Sequence, residues 1–360
     1  MARRRKKSRG WVMLVILVLI AGGAYYFGPW GKTPAGDPND TDANNAATLN
    51  GSGNGNGSGS GNGSGRTNPD GDNAKTPSPH PQGLHFIPYD ANTPTPAQAR
   101  AGMSKAFSML AEKPLEARDL LKNALNYGDL SANDAGRVRE ALENLAKRTL
   151  FNNSAYVNPK DPYTIKHTFE PSELLVNSGG KRGIISQREL WVPAEGIVMA
   201  NGLSDAGEFR ALETYKMLKG PCHAVVYKDQ KAMDIYLRDL FVKRMRVAIG
   251  KPETPTPEGT FVVSQKIPGA TYYPPVGRGG EISRPGDPDY PLDPRGLFMK
   301  LHGIRGTEVS ASDGYAIHGT NQPESIGTAD SLGCIRLGEK DIQWAWSMLY
   351  ETKATVTILP

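Results

Sequence analysis

The sequence predicts an α+β, multidomain chain: an N-terminal transmembrane helix, a helical hairpin segment, a small βααβ module and a mostly β C-terminal domain. Three observations carry this. Residues 11–30 form an apolar run without a charge. Apolar residues recur at helical spacing between residues 96 and 155. From Ala232 the pattern becomes the apolar–polar alternation of half-buried strands.

Length and composition narrow the classes. A chain of 360 residues has room for about two or three domains. Gly 41 and Pro 28 exceed the average share, so part of the chain is expected to stay unpacked. Two cysteines, Cys222 and Cys334, exclude a disulfide-rich scaffold and any CxxC motif. Six histidines, none in an HExxH pattern, argue against a metalloenzyme, and no cofactor motif is present. Arg3, Arg4, Arg5, Lys6, Lys7 and Arg9 exceed the whole net charge of +5, leaving about −1 for the rest. That balance gives no nucleic-acid-binding surface.

The basic tail, residues 1–10, precedes the apolar run Trp11–Trp30. Twenty residues at helical rise span about 30 Å, the thickness of a hydrocarbon core. Trp11, Tyr25, Tyr26 and Trp30 stand at its ends, where amphipathic rings prefer the interface. The tail holds the N-terminus in the cytoplasm, so the remainder is expected outside the membrane. A cleaved signal peptide, with Ala21–Ala24 as processing site, is the alternative. Both export the rest. Residues 31–95 then read as a linker, with a pure Gly/Ser/Asn tract at 51–65. Such a composition buries too little apolar surface to offset its ordering entropy.

A helical segment, residues 96–155, follows. Thr95 caps and Pro96 takes the first helical position. Met103, Ala106, Phe107 and Leu110 share one helical face. Pro114 opens a second helix with Leu120, Leu121 and Leu125 inward, and Ser131 with Asp134 caps a third carrying Val138, Leu142 and Leu145. The arrangement is similar to a tetratricopeptide pair and suits spacing or packing. Residues 160–221 read as strand from Tyr163, helices at Pro171–Val176 and Pro193–Ala200, an Asn201-Gly202 turn, and a strand from Met217. That order resembles a LysM peptidoglycan-binding module. Thr168-Phe169-Glu170 replaces its usual Gly-Asp, Glu213-Thr214 its usual Gly-Gln, and Asn177–Arg188 is extra.

The last domain, residues 222–360, carries strands at Met233–Arg238, Phe241–Gly250, Thr260–Ser264, Leu297–Leu301, Tyr315–His318 and Ala354–Leu359, with one helix at Lys340–Tyr350. Its chemistry centres on Cys334, in Ser331-Leu332-Gly333-Cys334-Ile335-Arg336-Leu337, and His318, in Ala316-Ile317-His318-Gly319-Thr320-Asn321. A free thiol, with a pKa near 8.5, needs help to act as a nucleophile at neutral pH. An imidazole takes its proton and later returns it. If the two segments are neighbouring strands, thiol and imidazole meet side by side. Gly333 permits close backbone approach, and amides near Cys334 are positioned for an oxyanion. Arg336 shares the face of Cys334 on an extended chain, where it can hold a carboxylate and favour the thiolate.

His-Gly-Thr-Asn, a polar loop, then Ser-x-Gly-Cys-Ile-Arg-Leu resembles the signature of the L,D-transpeptidases of the YkuD family. Thr256-Pro257-Glu258-Gly259-Thr260-Phe261 resembles the family's Thr-Pro-x-Gly-x-Phe turn. The resemblance implies a β-rich catalytic domain that cross-links peptidoglycan stem peptides with no metal or other cofactor. It makes Cys334 the nucleophile and His318 the base. Ser331 orients the site, Gly333 supplies an oxyanion donor, Arg336 contacts substrate, and Gly319 joins the substrate-binding set. The family usually has His where this chain has Leu332, which shifts activation of the thiol towards His318. The implied partners are stem peptides, glycan strands and, through the N-terminal helix, the membrane. The implied location is a bacterial envelope, with a single-pass anchor in the cytoplasmic membrane and the catalytic domain outside, in the periplasm. A non-catalytic peptidoglycan-binding protein and an L,D-carboxypeptidase are the competing readings.

Other candidates read as structural. Cys222 and His223 are neighbours on a strand, so they point to opposite faces. His302-Gly303 imitates the His-Gly pair without a cysteine partner. Pro268–Pro294 is long for a turn and suits either a solvated loop or a substrate lid carrying Tyr272, Tyr273 or Tyr290.

Overall fold

The computed structural model describes residues 84–152, 157–176, 182–184, 190–274, 280–305, 307, 309–310 and 313–360. The expected basic tail, the transmembrane anchor and most of the linker lie outside these residues. Among the described residues no helix is long and apolar enough to cross a membrane.

Three helices open the described chain: α1 (Pro96–Met109), α2 (Pro114–Tyr127) and α3 (Ala132–Thr149). Thr95 and Gln98 form a reciprocal capping box at α1, and Ser131 Oγ accepts from Asp134 N at α3. Their apolar stripes meet through Ala106, Ala117, Leu121, Val138 and Leu142, all buried. The stripe of α3 also packs on the strand Leu240–Arg246, so the helices share one core with the β domain. Residues 84–95, placed in the linker by composition, join that core. Leu84 and Ile87 are buried, and the Phe86 ring stacks on His223 at 4.5 Å. Leu84, Phe86 and Ile87 give this short stretch surface to bury, which the Gly/Ser/Asn tract lacks.

The next segment contains β1 (Thr164–Thr168), β2 (Leu174–Val176), β3 (Arg182–Ile184), α4 (Ala194–Ala200) and β4 (Thr214–Leu218). β1 pairs antiparallel with β4. The Asn201 side chain ties α4 to β4, bonding Ile197 O, Lys216 O and Lys216 N. The helix expected at Pro171–Val176 is absent. Pro171–Glu173 makes a single 3₁₀ turn and β2 pairs with β3 instead. One helical turn fixes many dihedrals for one hydrogen bond, and Leu-Leu-Val finds a ladder partner nearby. Among the described residues the segment holds one α-helix, α4, where βααβ requires two.

The C-terminal domain contains β5 (Cys222–Tyr227), β6 (Ala232–Leu237), β7 (Leu240–Arg246), β8 (Ile249–Gly250), β9 (Gly259–Ile267), β10 (Phe298–Arg305), β11 (Ala316–Gly319), β12 (Ala329–Ser331), β13 (Ile335–Leu337), α5 (Glu339–Met348) and β14 (Thr355–Leu359). Eight of these strands form one sheet in the order β13-β11-β10-β9-β14-β5-β6-β7. β5 and β6 are buried on both faces. On one face α3 reaches in, with Arg139 Nε 2.9 Å from the fully buried Asp234 carboxylate. On the other, Lys243 Nζ lies 3.5 Å from Asp341 of α5. The chain leaving β7 crosses to the opposite end of the strand order. There Ala248 and Arg336 exchange backbone hydrogen bonds of 3.0 and 2.9 Å, and β8 pairs with β12.

Candidate active site

β11 and β13 are adjacent and parallel, with Ile317 opposite Ile335 and His318 opposite Arg336. Paired residues share a face and alternate residues change it. One face carries the row Lys266, Met299, Ile317 and Ile335. It lies under α5, where Lys266 Nζ donates to Trp346 O at 2.6 Å. The opposite face carries Ile267, Phe298, His318 and Arg336. Cys334 precedes Ile335 and so stands on the His318 face, beside Ala316. At standard strand spacing and rise, the Cα atoms of such diagonal neighbours are about 8 Å apart, within reach of an imidazole and a thiol. Both side chains are half-buried.

The turn entering β13 is fixed by hydroxyls. Ser331, fully buried, donates from Oγ to Cys334 O (2.6 Å) and accepts from Gly333 N (3.1 Å). The Gly333 amide, expected as an oxyanion donor, is therefore engaged inside the turn. The Cys334 amide has no acceptor among the described residues. Gly333 has φ 110°, and a Cβ there would stand 2.6 Å from Cε1 of Tyr315, so only glycine fits both the backbone and the space. Thr256 Oγ1 reaches the same turn, 2.9 Å from Gly333 O.

The imidazole is oriented by its own strand. His318 Nδ1 lies 2.7 Å from Gly319 O. A carbonyl only accepts, so Nδ1 carries the proton and Nε2 presents its lone pair. Burial pushes the His318 pKa down to about 4, the Gly319 carbonyl opposes this, and the Arg336 charge adds to it. The ring is thus neutral at pH 7, the form a base requires. Burial raises the Cys334 thiol, against hydrogen bonding from the Ala316 backbone and the Arg336 charge. Its Sγ lies 3.6 Å from Gly314 O. Cys334 is therefore a thiol and His318 a neutral imidazole on the same face, with the Ala316 amide and Arg336 favouring a thiolate.

The loop between β9 and β10 backs the site. Asp293, fully buried, accepts from Arg295 N and Leu297 N, each at 3.0 Å. Its carboxylate occupies the space a Gly319 side chain would need. Gly319 is thus where β11 passes against Asp293. Asn321 Nδ2 donates to Tyr290 O at 2.6 Å, fastening the His-Gly-Thr-Asn segment to the same loop. Tyr290 is buried and its hydroxyl donates to Ala270 O, while Tyr273 is 67% exposed. Of the three tyrosines considered for a lid, Tyr290 is part of the loop's own small core. Asp293 and Thr256 escaped sequence reasoning as site residues. The Thr-Pro-x-Gly-x-Phe resemblance marked Thr256, but no sequence signal points to Asp293.

The remaining candidates lie elsewhere. Cys222 is a free, fully buried thiol. His223 bonds Thr355 Oγ1 through Nδ1 at 2.6 Å and stacks under Phe86. His302 is exposed on β10. Among the described residues no three metal-ligating side chains converge.

Residues 223–358 match the family model YkuD, the L,D-transpeptidase catalytic domain. The YkuD protein of Bacillus licheniformis is 32% identical over 123 residues, 34% of this chain and 56% of that protein. YqjB of Bacillus subtilis is 33% identical over 127 residues, 35% of this chain and 64% of that protein. Both carry L,D-transpeptidase names, and this chain spans less than two thirds of the length of either. An L,D-transpeptidase structure from Mycobacterium smegmatis aligns over 57% of this chain and 87% of its own, at 14% identity and a TM-score of 0.31. The catalytic domain of the E. faecium enzyme aligns over 38% and 95%, at 22% identity and a TM-score of 0.28. What this chain shares with the named families is therefore a similarity over residues 223–358 to the L,D-transpeptidase catalytic domain.

Proposed function

We propose that the protein is a peptidoglycan L,D-transpeptidase acting through a Cys334 thioester. The observation that supports this most directly is the placement of His318 and Cys334 on one face of two adjacent strands, with no acceptor for the Cys334 amide among the described residues. His318 Nε2 takes the thiol proton as sulfur attacks the carbonyl of the third residue of a tetrapeptide stem. The C–S bond forms, the C–N bond breaks, and the proton passes to the departing D-alanine amine. An amine of a neighbouring stem then attacks the thioester, the C–S bond breaks, and its proton returns through His318 to sulfur. Arg336, on the same face, holds a stem carboxylate. In this reading the substrate lies outside the cytoplasmic membrane, the N-terminal helix is the anchor, and the segment before β5 contacts glycan strands.

The test is incubation of the protein with tetrapeptide muropeptides, followed by product analysis and intact mass. The expected results are 3→3 dimers, a transient acyl adduct on Cys334, and loss of both in Cys334→Ala. Full activity in Cys334→Ala overturns the assignment. Water in place of the amine gives the carboxypeptidase, recognised by tripeptide product without dimer.

A further inference from the structure

We propose that Thr256 is a positioning residue that aims the Cys334 amide at the oxygen of the reacting carbonyl; this role rests on the acyl-transfer reading above. Thr256 is 2% exposed and lies in the connection between β8 and β9. Its Oγ1 is 2.8 Å from Gly250 N and 2.9 Å from Gly333 O. The Gly250 N–H can only donate, so the single hydroxyl proton goes to the Gly333 carbonyl. The direction of this relay is fixed.

Its consequence follows from the planarity of the peptide bond. In a trans peptide the C=O of one residue and the N–H of the next point in opposite directions. Holding Gly333 O towards Thr256 therefore turns the Cys334 N–H away from it. An unbroken strand would do the reverse. Arg336, two residues on, directs both its N–H and its C=O to Ala248, and a regular period of two would send the Cys334 N–H to that side as well. The positive φ of Gly333 turns the peptide over, and the Thr256 hydroxyl holds it there. From the other flank, Ser331 Oγ holds Gly333 N and Cys334 O. The Thr256 connection is itself fastened to Ser331 O by Lys251 N (3.1 Å) and Thr254 Oγ1 (3.3 Å). The amide that these contacts leave open belongs to the nucleophile.

An amide fixed in advance lowers the barrier only where an oxyanion forms. Two reactions of the same thiol therefore separate this role from a general structural one. Acylation of Cys334 by a synthetic tetrapeptide stem passes through an oxyanion; alkylation by iodoacetamide does not. Measured on the full chain, Thr256→Val should slow acylation by roughly 10- to 100-fold and leave alkylation within about twofold of its original rate. Thr256→Ser, which keeps the hydroxyl, should restore most of the acylation. Equal acylation in Thr256→Val, or parallel loss of acylation and alkylation, overturns the role. A measurement without substitution guards against a variant that fails to fold: the Cys334 amide should exchange its hydrogen about tenfold faster or more than the bonded Gly333 amide. Equal protection of the two overturns the role. An unmodified chain that alkylates but never acylates brings down the transpeptidase reading itself.

Discussion

The ring of Phe298 lies parallel to that of His318, 13° between planes and 5.6 Å between centroids. The two residues face each other across the β10–β11 pair. Phe298 is thus one wall of the environment that keeps the imidazole neutral. With the His318 pKa pushed down to about 4, the acid limb of kcat/KM should fall near pH 4 rather than near 6.5. Phe298→Ala admits water, raises the pKa and moves that limb upward. A pH–rate profile with its acid limb already at 6.5 in the unmodified chain contradicts this.

Arg336 acts on both reacting groups with one sign. Its charge lowers the pKa of His318 and of the Cys334 thiol. Arg336→Met should therefore raise both. The acid limb of acyl transfer moves up, and the rise of iodoacetamide alkylation with pH moves to more alkaline values. Mass-spectrometric alkylation rates across pH check the second shift. Movement of the two limbs in opposite directions would show that Arg336 does not act through its charge.

A methyl group on residue 319 meets the Asp293 carboxylate. Gly319→Ala should lose about 1–3 kcal/mol of stability, the usual penalty for overpacking, and lower acyl transfer by displacing the strand that carries His318. Thermal melts of Gly319→Ala, Asp293→Ala and the double variant give the coupling between the sites. Additive losses would mean that the two side chains do not compete for the same space.

His223 predicts an acid weakness of the fold. It is 8% exposed, and burial pushes its pKa down to about 4. An unfolded histidine takes up its proton near pH 6.5, so stability present above that value is lost progressively as the pH falls towards 4. A shift of this size corresponds to roughly 3 kcal/mol. Denaturant melts between pH 7 and 4 should show the decline, and His223→Gln should make it shallower, with His318, whose pKa is also pushed down to about 4, supplying a further part. An unchanged slope in that variant would assign the loss to other groups.

The parts of this molecule that are legible in sequence are those whose signal is local. Strands β6, β7 and β9, the three N-terminal helices, and the His318 and Cys334 segments each announce themselves within a few residues. The contacts that remained hidden join distant stretches. Asp293 is a plain loop aspartate until β11 is seen passing against it. Arg139 reads as a solvated helix charge until β6 brings Asp234 beneath it. The segment Pro171–Val176 misleads because helix and strand propensities are close in so short a run, and pairing with β3 decides the outcome. Gly333 looks like an oxyanion donor by position, and only the Ser331 hydroxyl shows that its amide is engaged.

The Arg139–Asp234 contact bears on where this protein can be cut. The recognisable family segment begins at residue 223, yet the buried carboxylate of Asp234 draws one of its two guanidinium partners, Arg139, from well before that boundary and the other, Arg244, from inside it. A fragment starting at residue 223 would uncover the sheet face that α3 and Phe86 protect and strand a half-neutralised acid there. For expression, crystallography or inhibitor screening, the smallest unit that keeps its own interior sealed starts ahead of Leu84.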